Sequence, residues 1–219
     1  KSPQSILGTL TKTYYAEKMD IDPECIRMVS IMPCIAKKFE ISRSKAMYAS
    51  GYQDVDISVT TREFIRMIQQ AGIAFRDLVC LQQPDSPLGA YSGAGAIFGA
   101  TGGVMEAALR SAHYFLTGED SSNLEFHPIH GLAGVKEMEV DVAGRKVRVA
   151  VAHGLAHVET VLGRVRQARE EGAELPWHFI EVMACPGGCI GGGGQSWHVN
   201  DHIRSLRADG LQKVDRLCE

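Results

Sequence analysis

The chain has 219 residues, 45% hydrophobic and 22% charged, with 23 basic against 26 acidic side chains for a formal charge of −3. That length supports one or two domains with a sizeable core, and the composition excludes a disordered or fibrous chain. No basic stripe is interleaved with aromatics, so nucleic acid is not an expected partner, and no apolar run approaches the ~20 residues of a membrane span.

Periodicity predicts a first helix over residues 5–19, with Ile6, Leu7, Leu10, Tyr14 and Met19 as its core contacts. The β-branched run 26–32, stopped by Pro33, predicts a buried strand, and residues 56–60 predict a second. Thr60-Thr61-Arg62-Glu63 has the form of a capping box, opening a helix that runs through Ala71 and stops at Gly72. A glycine-rich stretch over 89–103 leads into a helix over 104–116, with Val104, Ala107, Ala108 and Ala112 on its apolar stripe. Residues 137–142 and 146–152 flank Ala143-Gly144-Arg145 as a β-hairpin. A helix over 155–171 turns Val158, Val161, Leu162 and Val165 inward and ends at Gly172. Phe179–Met183 reads as a third buried strand, and 200–208 as a polar final helix. This alternation predicts an α/β fold: a mostly parallel sheet with flanking helices and one antiparallel hairpin. Ligands of such sheets gather beyond the strand carboxyl ends. Cys34, after the first strand, and Cys185 and Cys189, after the third, fall there.

The chain starts at Lys1 without methionine or signal-peptide pattern and ends at Cys218-Glu219 without a closing turn. Both ends read as cuts through a longer polypeptide, expected in the cytoplasm. Six cysteines in a chain this long argue against a disulfide framework. Cys25 and Cys80 sit among apolar residues and read as small buried hydrophobes, while Cys218 carries no signal.

The strongest motif is VMACPGGCIGGGGQ, residues 182–195, with two cysteines around Pro-Gly-Gly and four glycines following at 191–194. Glycine is entropically costly in a folded chain, so a run this dense needs a reason. A glycine-rich cysteine loop lets backbone approach a bulky iron–sulfur cluster and aim N–H groups at its sulfides, which also tunes its potential. A phosphate loop wants Lys-Ser/Thr after its glycines, and Gln195-Ser196-Trp197 does not supply them. A zinc site is a rival; it needs a second close pair, for which His198 and His202 are the candidates. The second motif is IMPCIAKKFE, residues 31–40. A strand delivers Met32-Pro33-Cys34 into a turn, with Lys37 three residues on, suited to hydrogen-bond an anionic ligand. Lys38 and Glu40 read as a solvated surface pair.

Together these segments resemble the second and third signature segments of the [FeFe]-hydrogenases, MPCxxKxxE and ACxGGCxxGGGQP. Met32, Pro33, Cys34, Lys37 and Glu40 match the first in full. Ala184, Cys185, Gly187, Gly188, Cys189, Gly192, Gly193, Gly194 and Gln195 match the second, with Ser196 where the family carries proline. Ser2-Pro3-Gln4 resembles the stretch before the family's first helix, and GAIFGATGGVMEAALR, residues 95–110, its phenylalanine-glycine loop and following helix.

The resemblance implies that residues 1–219 are the C-terminal part of a hydrogenase catalytic domain, truncated at both ends. It implies an H-cluster: a [4Fe–4S] cubane joined through a cysteine sulfur to a two-iron unit with CO, cyanide and a bridging dithiolate. Cys34, Cys185 and Cys189 would ligate the cubane, Cys189 also bridging to the two-iron unit. Lys37 would hydrogen-bond a cyanide, Met32 and Met183 would pack on the two-iron unit, and Pro3, Gln4, Phe98 and Gly99 would complete the pocket. The implied activity is reversible H2 oxidation and proton reduction, with an electron carrier such as ferredoxin and the remainder of the parent chain or subunits as partners. The segment supplying the family's fourth cubane cysteine is not among these residues, so the chain alone is expected not to turn over. Three rivals stay open: an iron–sulfur assembly protein of the same fold without the two-iron unit, an H2-sensing regulatory member, and a zinc-stabilised α/β binding domain.

Overall fold

Residues 1–79, 82, 85–120, 126 and 129–218 are described by the computed structural model. They fall into two units, one of Lys1–Ala90 with Gly193–Trp197, the other of Tyr91–Gly192 with His198–Glu219. Cys80 lies outside the described residues.

The first unit opens with α1 (Pro3–Leu10), which passes through a π-helical turn at Thr11–Tyr15 into α2 (Ala16–Lys18). Pro3 occupies the start of α1, where its missing N–H is no loss. Then come β1 (Val29–Met32), α3 (Ala36–Glu40), β2 (Ile57–Thr60) and α4 (Thr61–Gln70). The two strands pair in parallel, Val29 opposite Ile57 and Met32 opposite Thr60. The capping box forms as expected. Thr60 Oγ1 accepts from the Glu63 N–H at 3.2 Å, and the Glu63 carboxylate accepts from the Thr60 N–H at 2.8 Å.

Three expectations fail in this unit. The apolar stripe of the first helix is turned outward: Ile6, Leu7, Leu10, Tyr14 and Met19 are all exposed. The inward stripe is Gln4, Ser5, Gly8, Lys12 and Ala16. Lys12, fully buried, donates to the Asp56 carboxylate at 2.7 Å and to the Gln53 carbonyl at 2.7 Å. Periodicity locates the two faces of a helix, but fixed polar partners decide which one turns inward. In β1, likewise, Val29 and Ile31 are exposed and Ser30 faces in, so the strand is not the buried apolar one expected. Cys25 is exposed.

The second unit begins with α5 (Gly93–Ile97) and α6 (Gly103–Thr117). A three-stranded sheet follows, made of β3 (Val135–Val142), β4 (Arg145–His153) and β5 (Phe179–Met183) in the order β3-β4-β5. The β3–β4 pair is antiparallel and the β4–β5 pair parallel, with α7 (Leu155–Glu170) between β4 and β5 in sequence and α8 (Asp201–Cys218) closing the chain. The hairpin turn is the two-residue Ala143–Gly144, both at positive φ (54° and 78°), a type I′ geometry that matches strand twist. Thus the strands form two sheets, each with a parallel pair, within the expected α/β class.

Central strand β4 is buried on both faces. Val149 and Val151 join Met105, Leu109, Ile129, Met138 and Val140 on one side. Ala150 and Ala152 join Val161 and Trp177 on the other, with Val158 and Val165 packed beside them. Each fully buried valine or methionine contributes roughly 1.5–3 kcal/mol, so β4 is the rigid element from which His153 projects. Leu162 is exposed, contrary to the stripe read for α7; on α6 Ala107 is buried and Ala112 packs against the core as expected, and Met105 and Leu109 reach the core beside them.

β5 is also misread as an apolar strand. Phe179 and Val182 are exposed, and Glu181 faces in at 5% exposure. Its carboxylate accepts the Gly102 and Met105 N–H groups at 2.7 Å each, filling two orphan donors at the start of α6. Burial pushes the Glu181 carboxyl up, and those backbone donors work against the rise. α8 runs well past the expected 200–208. Asn200 Oδ1 caps it by accepting from Ile203 N at 2.9 Å. Arg110 forks onto buried Asp215 at 3.0 and 2.8 Å, anchoring the far half against the ~1 kcal/mol cost of Gly210 in mid-helix.

Candidate metal centre

Half of the sequence-predicted site assembles in the first unit. Met32 ends β1, and Cys34 follows it, half-buried, at the entry to α3. Lys37 lies in the first turn of α3 and is ion-paired with Glu40. Glu40 is therefore not the solvated partner of Lys38, which bonds Glu63 instead. Glu40 is 8% exposed and also accepts from the Ser2 N–H and the Ser5 hydroxyl, each at 3.0 Å. Burial alone would raise its carboxyl, but the hydrogen bonds from Lys37, Ser2 and Ser5 outweigh it and hold the group at about 2. Pro3 and Gln4, in the first turn of α1, come to the same place. Gln4 Nε2 donates weakly to the Lys37 carbonyl at 3.4 Å, while its buried Oε1 has no hydrogen-bond partner among the described residues.

The same unit contains the tail of the glycine-rich motif. Gly194 N–H donates to the Pro33 carbonyl at 2.9 Å, and a Cβ on Gly194 would stand 2.9 Å from the Pro33 carbonyl carbon and 3.0 Å from Cys34 N. Only glycine lets this strand of backbone lie along Cys34. Arg62 holds it from the other side. Its backbone N–H donates to the Gly194 carbonyl at 3.0 Å, and its guanidinium donates to the Gly193 carbonyl at 2.7 Å and the Gln195 carbonyl at 2.8 Å.

The second half assembles in the other unit. Cys185 follows β5 after one residue and is half-buried; exposed Cys189 opens a 3-10 turn at Cys189–Gly191. The loop between them is braced at Gly187 and Gly188. Gly187 N–H donates to His153 Nδ1 at 3.0 Å, and His153 Nε2 pairs with the Leu132 carbonyl at 3.2 Å, which sets the proton on Nε2. Burial depresses the His153 pKa, with Lys136 and His157 adding to the effect. The Gly187 carbonyl accepts from Thr101 N at 3.0 Å, and Thr101 in turn accepts from the buried Lys136 ammonium through its carbonyl (3.2 Å) and hydroxyl (3.3 Å). Burial lowers Lys136 to about 8. Gly188, at φ +89°, packs so closely that a Cβ would lie 2.8 Å from both Met183 Sδ and Thr101 N. Ile190 N–H donates to the Gly99 carbonyl at 2.9 Å, which ties the Phe98–Gly99 loop to the turn of Cys189.

The expected residues divide between the units: Pro3, Gln4, Met32, Cys34 and Lys37 in one; Phe98, Gly99, Met183, Cys185 and Cys189 in the other. Sequence reasoning missed Arg62 and His153. A capping box gives no sign that its second helical residue grips backbone 131–133 positions away, and a histidine ending a strand is ordinary by pattern.

The donor chemistry fits an iron–sulfur group. Among the described residues Cys34, Cys185 and Cys189 form no disulfide; Cys34 and Cys185 follow strand ends and Cys189 opens a turn, and neighbouring Gly188 and Gly194 pack too closely to admit a Cβ. Among the described residues no three His, Cys, Asp or Glu side chains converge to hold a single metal ion. His198, at φ +64°, precedes α8 while His202 lies on it, so the two do not share a helix face as the zinc reading required.

Residues 1–193 match the family model for the C-terminal domain of the iron-only hydrogenase large subunit. The chain is 45% identical over 201 residues to the NADP-reducing hydrogenase subunit HndD of Solidesulfovibrio fructosivorans, covering 92% of this chain and 33% of that protein. It is 32% identical over 231 residues to cytosolic iron–sulfur assembly component 3 of Rattus norvegicus, covering 99% of this chain and 44% of that one. A solved variant of [FeFe]-hydrogenase HydA1 from Chlamydomonas reinhardtii superposes with a TM-score of 0.72 at 33% identity, covering 96% of this chain and 59% of the other. An α/β chain with cysteines at its strand ends is thereby placed among iron–sulfur proteins. It belongs to the family defined by the C-terminal domain of iron-only hydrogenase large subunits. It spans between about a third and a half of the length of the curated relatives it matches. Among the described residues no helix is long and apolar enough to cross a membrane.

Proposed function

We propose that this chain is the C-terminal part of the catalytic domain of an iron hydrogenase, acting on H2 and protons and exchanging electrons with a carrier such as ferredoxin. In this reading Cys34, Cys185 and Cys189 would hold a [4Fe–4S] cubane, Cys189 serving the two-iron unit as well, and the rest of the parent protein would supply the fourth thiolate. The carrying observation is the coherence of the two half-sites, each uniting its cysteines with the non-ligand residues of the motifs. The bound H-cluster supplies the H2 chemistry, interconverting H2 with two protons and two electrons. This chain's residues position and insulate it. Lys37, steadied by Glu40, keeps two of its three N–H donors for an anionic ligand. Met32, Met183 and Phe98 exclude water from the two-iron unit, raising the worth of every fixed donor around it. Gly187 and Gly188 bring backbone up to the cluster, with His153 and Thr101 setting their orientation.

A second reading has its own support: 32% identity to the assembly protein over nearly the whole chain. One experiment separates the two. The whole parent protein, reconstituted with iron, sulfide and the two-iron precursor, should show infrared bands of bound CO and cyanide and should evolve H2. A four-iron cluster without those bands supports the assembly reading. Reconstituting residues 1–219 alone should give no sustained H2 evolution; turnover by that piece would refute the need for an outside thiolate.

A further inference from the structure

Arg62 does more than begin a helix. Its side chain and backbone together bind three successive carbonyls, at Gly193, Gly194 and Gln195. Nε adds a further donation to the Gln195 carbonyl at 3.1 Å, so that oxygen is held by two N–H groups. The outer face of the guanidinium is covered by the Trp197 ring, whose centroid is 3.8 Å away. That ring is itself 72% exposed. An exposed tryptophan folded back onto an arginine that reads main-chain carbonyls forms a closed clamp: fork inside, aromatic lid outside. The clamped peptide is also the one whose Gly194 N–H bonds the Pro33 carbonyl, next to Cys34. In the sequence, Gly193 stands four residues after Cys189.

We propose that Arg62, locked by Trp197, is a positioning residue for the iron–sulfur cluster: it fixes the backbone that follows Cys189 beside the backbone that presents Cys34. This rests on the hydrogenase-family cluster reading above. A single pairing would leave residues 193–195 free to pivot; two carbonyls held by one rigid planar group, with the Gly194 carbonyl between them held by the backbone N–H of the same residue, do not pivot. Lysine, a point charge with no fork, cannot reproduce the arrangement even though it keeps the charge. Nothing in the role involves a proton or an electron on Arg62.

The test uses the whole parent protein reconstituted with iron and sulfide, in wild-type form and as Arg62→Lys, Arg62→Gln, Trp197→Phe and Trp197→Ala. The readouts are iron per chain, the electron paramagnetic resonance spectrum and midpoint potential of the reduced cluster, its loss to a chelator, and the melting temperature. Both Arg62 variants should lose iron about tenfold faster or more, in line with residues that orient metal ligands, and should show an altered spectrum. Trp197→Phe, which still stacks, should match wild type, and Trp197→Ala should fall between. A purely structural Arg62 would lower the melting temperature in its variants but leave spectrum, potential and iron release unchanged. That result, in Arg62→Lys as the milder variant, overturns the proposal and leaves the cluster reading standing. A wild-type protein that shows no four-iron spectrum overturns both.

Discussion

Replacing Glu40 with glutamine removes one charge and no bulk, and the structure sets what should follow. The carboxylate accepts from Ser2 N, Ser5 Oγ and Lys37 Nζ. Glutamine can keep the first two through its oxygen, but its NH2 then confronts an ammonium, donor against donor. A carboxyl shifted from 4.5 to about 2 corresponds to about 3 kcal/mol if the full shift is stabilising. Water reaches the Lys37 side chain, which is 24% exposed, and screening reduces this to about 1–2 kcal/mol. The folded pKa is depressed, so the contribution is present above the unfolded value and is lost as pH falls from about 4.5 toward about 2. Urea denaturation of wild type and Glu40→Gln at pH 6 should differ by about 1–2 kcal/mol, and the difference should shrink steadily below pH 4.5. A gap that stays constant down to pH 2.5 would refute the charge-based account and leave a packing effect in its place.

Gly188→Ala should destabilise by more than about 2 kcal/mol, because both its positive φ and the 2.8 Å approach to Thr101 N oppose a Cβ; thermal melting checks it. Lys136→Met should abolish a pH response. The buried amine titrates at about 8 against 10.5 when free, so the unfolded chain holds its proton over that window while the folded one has released it. Wild-type stability should therefore rise by up to about 3 kcal/mol between pH 8 and 10.5, and the variant's should not; parallel curves would contradict the burial of the charge. His153→Phe should strand the Gly187 N–H at a cost of about 1–3 kcal/mol, read as a lower urea midpoint, with Val151→Ala in the same strand as a packing control.

Local signals in this chain were reliable where a single element sufficed to decide them. Thr60 and Glu63 announce the capping box because both partners lie within one turn, and Ala143–Gly144 announces the hairpin because the turn geometry is set by its own residues. Orientation was another matter. The outward apolar stripe of α1 and the inward Ser30 and Glu181 depend on partners far away in sequence: Lys12 on Asp56, Glu181 on the start of α6. A hydrophobicity pattern contains no information about such partners. The site divides in the same way. The cysteines, Lys37 and the methionines are legible because the motifs are contiguous, whereas Arg62 and His153 act on peptide groups, which every residue has and no motif marks.

The family holds both hydrogenases and assembly proteins, so thiolates alone cannot separate the two readings; any member that carries a cubane needs them. The discriminating residues are those that a cubane does not require. Holding Lys37 by a Glu40 that is itself fixed by Ser2 and Ser5 is an expensive arrangement for a surface helix, since it buries a carboxylate. Among the described residues it leaves an ammonium that is held in place but not saturated, one donor used of three. Gln4 beside it keeps one buried end of its amide unfilled by any described residue. Two polar groups with spare capacity, fixed next to a half-buried cysteine, suit an additional ligand of small polar groups better than a cubane already complete in its sulfides. That asymmetry, together with 45% identity to a hydrogenase against 32% to an assembly protein, favours the catalytic reading.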